Sequence, residues 1–293
     1  MCKILYVRNT TLRRKQIQKL LGVLALDSDD GRGYGGLLEG RFYVDKGLSV
    51  RLKRIARAVR KNWDNGVLIH FRNATSGSVN KKMCHPMLST DGKVLVIHNG
   101  MFSDAPSWLK VLRILKGGVY EKVRYTDRIY VWNGKYEYAY GYGYSEERSG
   151  VSVSDTWIFT ELLSFLIDEK GVEETMLLLD ELDSSSNYII QDREGTVWVR
   201  IGHYPIQIYW NGLETLIATR GLTVFYELEE ILTGEDVLIR IPKGKELEIL
   251  YGDLVTLKDE IERRESNKYS KYPYTQDESL WRKLYGDEFE YPY

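Results

Sequence analysis

The sequence predicts an α+β protein whose sheets are antiparallel. From residue 187 onward the chain is a block of strand-like runs: Asn187 to Gln191, Thr196 to Ile201, Ile206 to Trp210, Thr215 to Thr219, Val237 to Ile241 and Leu247 to Tyr251. Turn-formers separate them, Asp192-Arg193-Glu194-Gly195 and Asn211-Gly212 among them. The helical patterns come in pairs ahead of this block instead of alternating with single strands. That order argues against βαβ units and for antiparallel pairing. A second hairpin signal, Asn133-Gly134, lies between Arg128 to Trp132 and Lys135 to Tyr140.

The remaining elements follow in order. Lys3 to Val7 reads as a strand. Leu12 to Leu26 reads as a helix, with Ile17, Leu20, Leu21 and Leu24 on one face and Thr10 or Thr11 as cap. Asp27 to Gly36 reads as a glycine-rich loop. Its Gly31-x-Gly33-x-Gly35 lacks the flanking strand and helix of a dinucleotide fingerprint, and no P-loop lysine follows, so nucleotide binding is not expected. Ser49 to Trp63 is a second helix, with Leu52, Ile55, Ala56, Val59 and Trp63 inward. Its other face carries Arg51, Lys53, Arg54, Arg57, Arg60 and Lys61, either a solvated face or a contact for an acidic partner or nucleic acid. Val67-Leu68-Ile69 and Val94 to His98 read as buried strands.

Between about residues 105 and 150 tyrosines concentrate; in the strand after Asn133-Gly134, Tyr136, Tyr138 and Tyr140 share one face. This hairpin either covers the core or forms a lid or docking surface. Ser154-Asp155-Thr156 opens a helix marked by Ile158, Leu162, Phe165 and Leu166, and a further helix spans Val172 to Leu182. Leu257 to Arg264 is a short charged helix, and Ser266 to Tyr293 reads as an arm that packs on this protein or a partner.

Composition narrows the class. The 293 residues are 43% hydrophobic, ample for a core, and the net charge of −1 offers no global attraction to nucleic acid or anionic membrane. No apolar run reaches transmembrane length, and the N-terminus lacks the apolar core of a signal peptide. Two cysteines do not make a disulfide framework, which points to a reducing cytoplasm. His70, His85 and His98 have no regular ligand spacing, so neither metal nor cofactor is expected.

The chemistry-bearing residues gather around His70 to Gly100. Arg72 ends a strand, where it could grip a carboxylate with two parallel hydrogen bonds or make a surface ion pair. Asn99-Gly100 suits either an oxyanion hole or a tight turn. Ser154 or Asp155 caps the helix that starts there, and the other reading of Asp155 is an acceptor for a substrate ammonium group. The stretch has no obvious nucleophile of its own. Cys2 supplies one if Met1 is removed, because an N-terminal cysteine carries a thiol and a free amine on one residue. The other reading is an ordinary second residue opening a strand.

Together, these residues resemble the class II glutamine amidotransferases, whose glutaminase domain is an N-terminal-nucleophile (Ntn) hydrolase. The likeness lies in Met1-Cys2, Arg32-Gly33-Tyr34-Gly35-Gly36, the His70 to Gly77 run with Arg72 and Thr75, His85-Pro86, His98-Asn99-Gly100 and Ser154-Asp155-Thr156. The sequence departs from the pattern at Lys3, where glycine is usual, at Asn73, where an aromatic often stands, and in a long spacing from Gly100 to Asp155. The resemblance implies a four-layer αββα sandwich. It also implies roles: Cys2 as nucleophile with its own amine as base, Arg72 on the glutamine carboxylate with Thr75 supporting, Asn99 and Gly100 as oxyanion hole, and Asp155 on the glutamine ammonium. The expected domain spans residues 1–254, with an insertion at about 105–150 and an arm at 255–293. With no synthase domain following, ammonia is expected to pass to a separate acceptor-bearing chain. Two alternatives stay open: an Ntn amidohydrolase of a γ-glutamyl or other amide conjugate, and a non-catalytic partner-binding scaffold.

Overall fold

The computed structural model describes residues 2–26, 28–61, 64–74, 79–125, 127–130, 137–140 and 151–266. In chain order the first elements are β1 (Lys3–Arg8), α1 (Arg14–Ala25), β2 (Arg32–Leu38), β3 (Arg41–Gly47), α2 (Leu52–Lys61), β4 (Val67–Phe71), β5 (Met87–Leu88), β6 (Val94–Asn99) and α3 (Ala105–Lys116). Then come β7 (Val123–Tyr125), β8 (Asp127–Tyr130), β9 (Glu137–Tyr140), β10 (Val151–Val153), α4 (Asp155–Lys170), α5 (Val172–Leu177) and α6 (Leu179–Leu182). The last are β11 (Asn187–Asp192), β12 (Val197–Ile201), β13 (Gln207–Asn211), β14 (Glu214–Ala218), β15 (Ile231–Thr233), β16 (Val237–Ile241), β17 (Glu248–Tyr251), β18 (Val255–Thr256) and α7 (Leu257–Ser266).

Two compact units are present, Met1–Leu257 and Lys258–Tyr293. In the second, Glu260 of α7 pairs with Arg263 at 2.9 Å and with Arg264 at 2.5 Å. The predicted arm beyond Ser266 lies outside the described residues.

The first unit is built on two large antiparallel sheets, beside which β10 and β7 pair parallel as a separate two-stranded ribbon. One has eight strands in the order β18-β15-β13-β14-β1-β4-β2-β3, the other six in the order β17-β16-β12-β11-β6-β5. Side-chain alternation sorts each strand's residues between two cores. In β1, Leu5 and Val7 pack with Leu20 and Leu24 of α1 and Ile55 and Val59 of α2. Ile4 and Tyr6 turn the other way, toward Leu95, Ile97, Ile189 and Val199 of the second sheet. On that sheet's far side, Val94, Val96 and Tyr188 pack with Leu109 of α3 and Ile158, Phe159 and Leu162 of α4. Helices, sheet, sheet and helices therefore form four layers, the αββα arrangement of the Ntn-hydrolase fold.

Two local expectations change, and one open alternative closes. The glycine-rich stretch is a strand, β2, paired with β3 and β4. Its glycines serve packing: a side-chain carbon on Gly33 would stand 2.2 Å from the His85 carbonyl oxygen, and one on Gly36 2.8 Å from that of Gly66. Neither Thr10 nor Thr11 caps α1. The helix starts at Arg14, and the Arg13 N–H donates to the Gln16 side chain at 2.9 Å. Asn99-Gly100 is no hairpin turn, because Asn99 closes β6 opposite Asn187. β8 and β9 pair antiparallel, while Asn133-Gly134, the tyrosine side chains around it and Trp63 lie outside the described residues. Among the described residues no helix is long and apolar enough to cross a membrane.

Candidate active site

Register places the nucleophile candidate. β1 runs antiparallel to β4 with Lys3 opposite Phe71 and Ile4 opposite His70. Cys2 and Arg72 each stand one residue beyond these pairs, at the same end of the sheet. The Cys2 thiol donates to the Asn73 carbonyl at 3.3 Å and accepts the Asn73 N–H at 3.4 Å. That turn is itself braced. The Arg72 N–H donates to Gly31 at 2.7 Å, the Asp30 N–H donates to the Arg72 carbonyl at 3.2 Å, and the Asp30 carboxylate accepts the Ala74 N–H at 2.7 Å. Arg72 is buried.

The second sheet supplies the opposite wall. β6 delivers His98, Asn99 and Gly100 at its end. Gly100 has φ +150°, and an added side-chain carbon would sit 2.1 Å from Ser186 Oγ and 3.0 Å from Ser186 Cα. Glycine is therefore required both by conformation and by space. Asn99 is fully buried, and neither amide atom has a hydrogen-bond partner among the described residues.

The N-terminus of α4 completes the ring. Ser154, not Asp155, is the cap, accepting the Trp157 N–H at 3.2 Å. Asp155 is released for other work. Its carboxylate accepts the Phe102 N–H at 3.0 Å and the Thr156 hydroxyl at 3.4 Å. His98 Nδ1 lies 3.0 Å from Thr156 Oγ1 and 3.9 Å from Asp155.

Cys2, Arg72, Gly100 and Asp155, from four separate parts of the chain, line one pocket. Asn99, the residue before Gly100, does not line it, and Thr75 is outside the described residues. Asn73, Ala74, His85, His98, Ser154 and Thr156 also line it, and the Asp30 carboxylate holds Ala74; the sequence reading gave none of these a catalytic or substrate-binding role. One signal for His98 was available. Alternation along β6 turns it to the same side as Val94 and Val96, the side covered by α4, where Thr156 meets it.

Burial sets the protonation states. It pushes the Cys2 thiol up; the Asn73 N–H, the terminal ammonium and Arg72 oppose the shift and Asp155 adds to it. Cys2 therefore rests as a thiol and needs a base. Burial also drives His70 down to about 3 and lowers His85 and His98, so all three imidazoles are neutral. His70 faces the His98 carbonyl at 3.0 Å, and a carbonyl only accepts, so Nε2 carries the ring proton. The His70 and His85 rings stand 4.0 Å apart. Among the described residues no three His, Cys, Asp or Glu side chains are grouped to hold a metal. The pocket thus sets one thiol beside one guanidinium and one carboxylate, charges complementary to a zwitterionic amino acid.

Comparison with solved structures identifies the fold. The chain is similar to the glutamine phosphoribosylpyrophosphate (PRPP) amidotransferase from B. subtilis complexed with ADP and GMP, at TM-score 0.55 and 16% identity over 87% of this chain and 49% of that one. It is also similar to an allosteric regulatory enzyme of purine biosynthesis, at TM-score 0.55 and 15% identity over 86% of this chain and 50% of that one. The chain therefore spans about half the length of each. The fold is that of the class II glutamine amidotransferases. No protein-family model matches the chain, and no curated protein matches it.

Proposed function

We propose that the protein is a glutamine amidotransferase of the class II type, hydrolysing the side-chain amide of glutamine. The observation that carries this reading is the convergence of Cys2, Arg72, Gly100 and Asp155 on one pocket. Arg72 takes the glutamine α-carboxylate, with Thr75 supporting its loop, and Asp155 takes the α-ammonium. These two contacts fix the carboxamide against Cys2 Sγ.

With Met1 removed, the Cys2 α-amine accepts the thiol proton. Sulfur attacks the carboxamide carbon, and the developing oxyanion receives the Gly100 N–H and the Asn99 amide. One such donor is worth about 3 kcal/mol of transition-state stabilisation. The amine returns its proton to the departing nitrogen, which leaves as ammonia, and a glutamyl thioester remains. Water, deprotonated by the same amine, attacks that thioester; glutamate leaves and the thiol is restored. Splitting one hydrolysis into two easier steps is the gain from covalent catalysis. The glutaminase domain is the unit Met1–Leu257, whose sheet runs through β18 and which carries the pocket.

Intact mass after treatment with a γ-electrophilic glutamine analogue tests the reading. The expected result is a mature mass lacking Met1, plus one adduct that is absent from Cys2→Ala. Retained Met1, or an adduct indifferent to Cys2, overturns it.

A further inference from the structure

The overall charge of −1 hides a segregated surface. α1 and α2 pack side by side over the outer face of the eight-stranded sheet. Neither contains an acidic residue. Arg13, Arg14, Lys15 and Lys19 at α1, and Arg51, Lys53, Arg54, Arg57, Arg60 and Lys61 at α2, are all exposed. Ten of the chain's 41 Lys and Arg residues thus stand on one helical layer. No large apolar side chain of α1 or α2 is exposed. A protein interface needs buried aromatic or aliphatic anchors, and a membrane-surface helix needs apolar residues to insert. Neither helix contains an aromatic residue on which an unpaired base could stack. Phosphate contacts need only cationic donors.

We infer that the α2 face binds the phosphate backbone of duplex DNA without reading its sequence. Lys53, Arg57 and Lys61 recur at every fourth position, about 6 Å apart along one side of the helix. Arg51 lies at its start. Arg54 pairs with Asp45 at 2.9 Å and Arg60 has a partner of its own, so neither is counted. Four contacts give a slope of log K against log[salt] of about −3.6, a loss of roughly 150-fold between 50 and 200 mM NaCl.

The test is fluorescence anisotropy of a labelled 20-base-pair DNA duplex with the full chain, titrated at several NaCl concentrations. The K53Q/R57Q/K61Q variant, all three positions being exposed and away from the pocket, is measured beside it. The expected slope falls to about −0.9, so the same salt step costs only about 3–4-fold. Circular dichroism and labelling of Cys2 check that the variant is folded. Salt-independent binding, an unchanged slope in a folded variant, or equally tight binding to poly-glutamate, to phosphatidylserine vesicles or to a single-stranded oligonucleotide overturns the inference. It stands or falls independently of the chemistry at Cys2.

Discussion

Acidification should destabilise this protein, and His70 sets the scale. Its folded pKa is about 3 against about 6.5 for a free imidazole. The folded state therefore refuses a proton that the unfolded state takes up. Stability is complete above pH 6.5 and is lost as pH falls toward 3, because the unfolded chain binds more protons throughout that window. Between pH 7 and pH 5 the linkage integral for this one residue is about 2 kcal/mol. For a unit of this size that lowers Tm by roughly 4–8 °C. His85 and His98 are shifted the same way by the same burial, so each adds to the loss. Asp91 and Asp183, held low by their hydrogen bonds, begin to contribute only below about pH 4. Urea denaturation followed by tryptophan fluorescence at pH 7, 6 and 5 measures the effect. The expected result is a steady fall in midpoint at constant slope, with at least one proton taken up per molecule on unfolding. A midpoint that is flat or rises across this range would refute the claim that these histidines are buried neutral.

Four substitutions probe the site itself. Gly100→Ala, forced against Ser186 in a backbone region hostile to side chains, should cost about 1–3 kcal/mol of stability and most of kcat, read by denaturation and a glutaminase assay. Asp30→Ala removes the carboxylate that holds Ala74, about 1.5–3 kcal/mol of charge-assisted bonding; Cys2 alkylation should slow at fixed pH, and an unchanged rate would deny the brace. Arg72→Lys should raise KM for glutamine roughly tenfold or more while sparing thiol alkylation, because an ammonium cannot reproduce the bidentate fork. Asp155→Asn should weaken glutamine binding while keeping the fold, since the amide oxygen still accepts from Phe102; equal KM would remove Asp155 from the substrate contact.

Much of the architecture was written locally. Alternation and helical spacing gave β1, β6 and most of the strand block from Asn187 to Tyr251 nearly to the residue, because each period follows from backbone geometry alone. They placed β4 and α2 within two or three residues at an end, and missed β15. Misreadings arose where a residue answers to a distant neighbour. Gly33, Gly35 and Gly36 look like a loop in sequence, yet a strand uses them because His85, Lys46, Tyr43 and Gly66 crowd against it. Asn99-Gly100 left a turn and an oxyanion hole both open, and pairing with β11, which holds Asn99 in a strand, removes the turn. Ser154 and Asp155 were equivalent cap candidates until packing of α4 against Phe102 divided their roles.

The pocket draws the same line. The sequence by itself determined which residue types were available: a thiol at position 2, a strand-end arginine, an Asn-Gly pair and an aspartate at a helix start. It gave no site role to His85 or Thr156, although both stand in the motifs that carry the resemblance, and it did not single out Asp30, which bears no local pattern. Only the tertiary structure decided that Cys2 meets Asn73, and that β6 and the start of α4 close around them. The physical reason is that local periodicity fixes which face a side chain takes. Which faces meet depends on strand register and sheet stacking, and those are set by burial summed over the whole core.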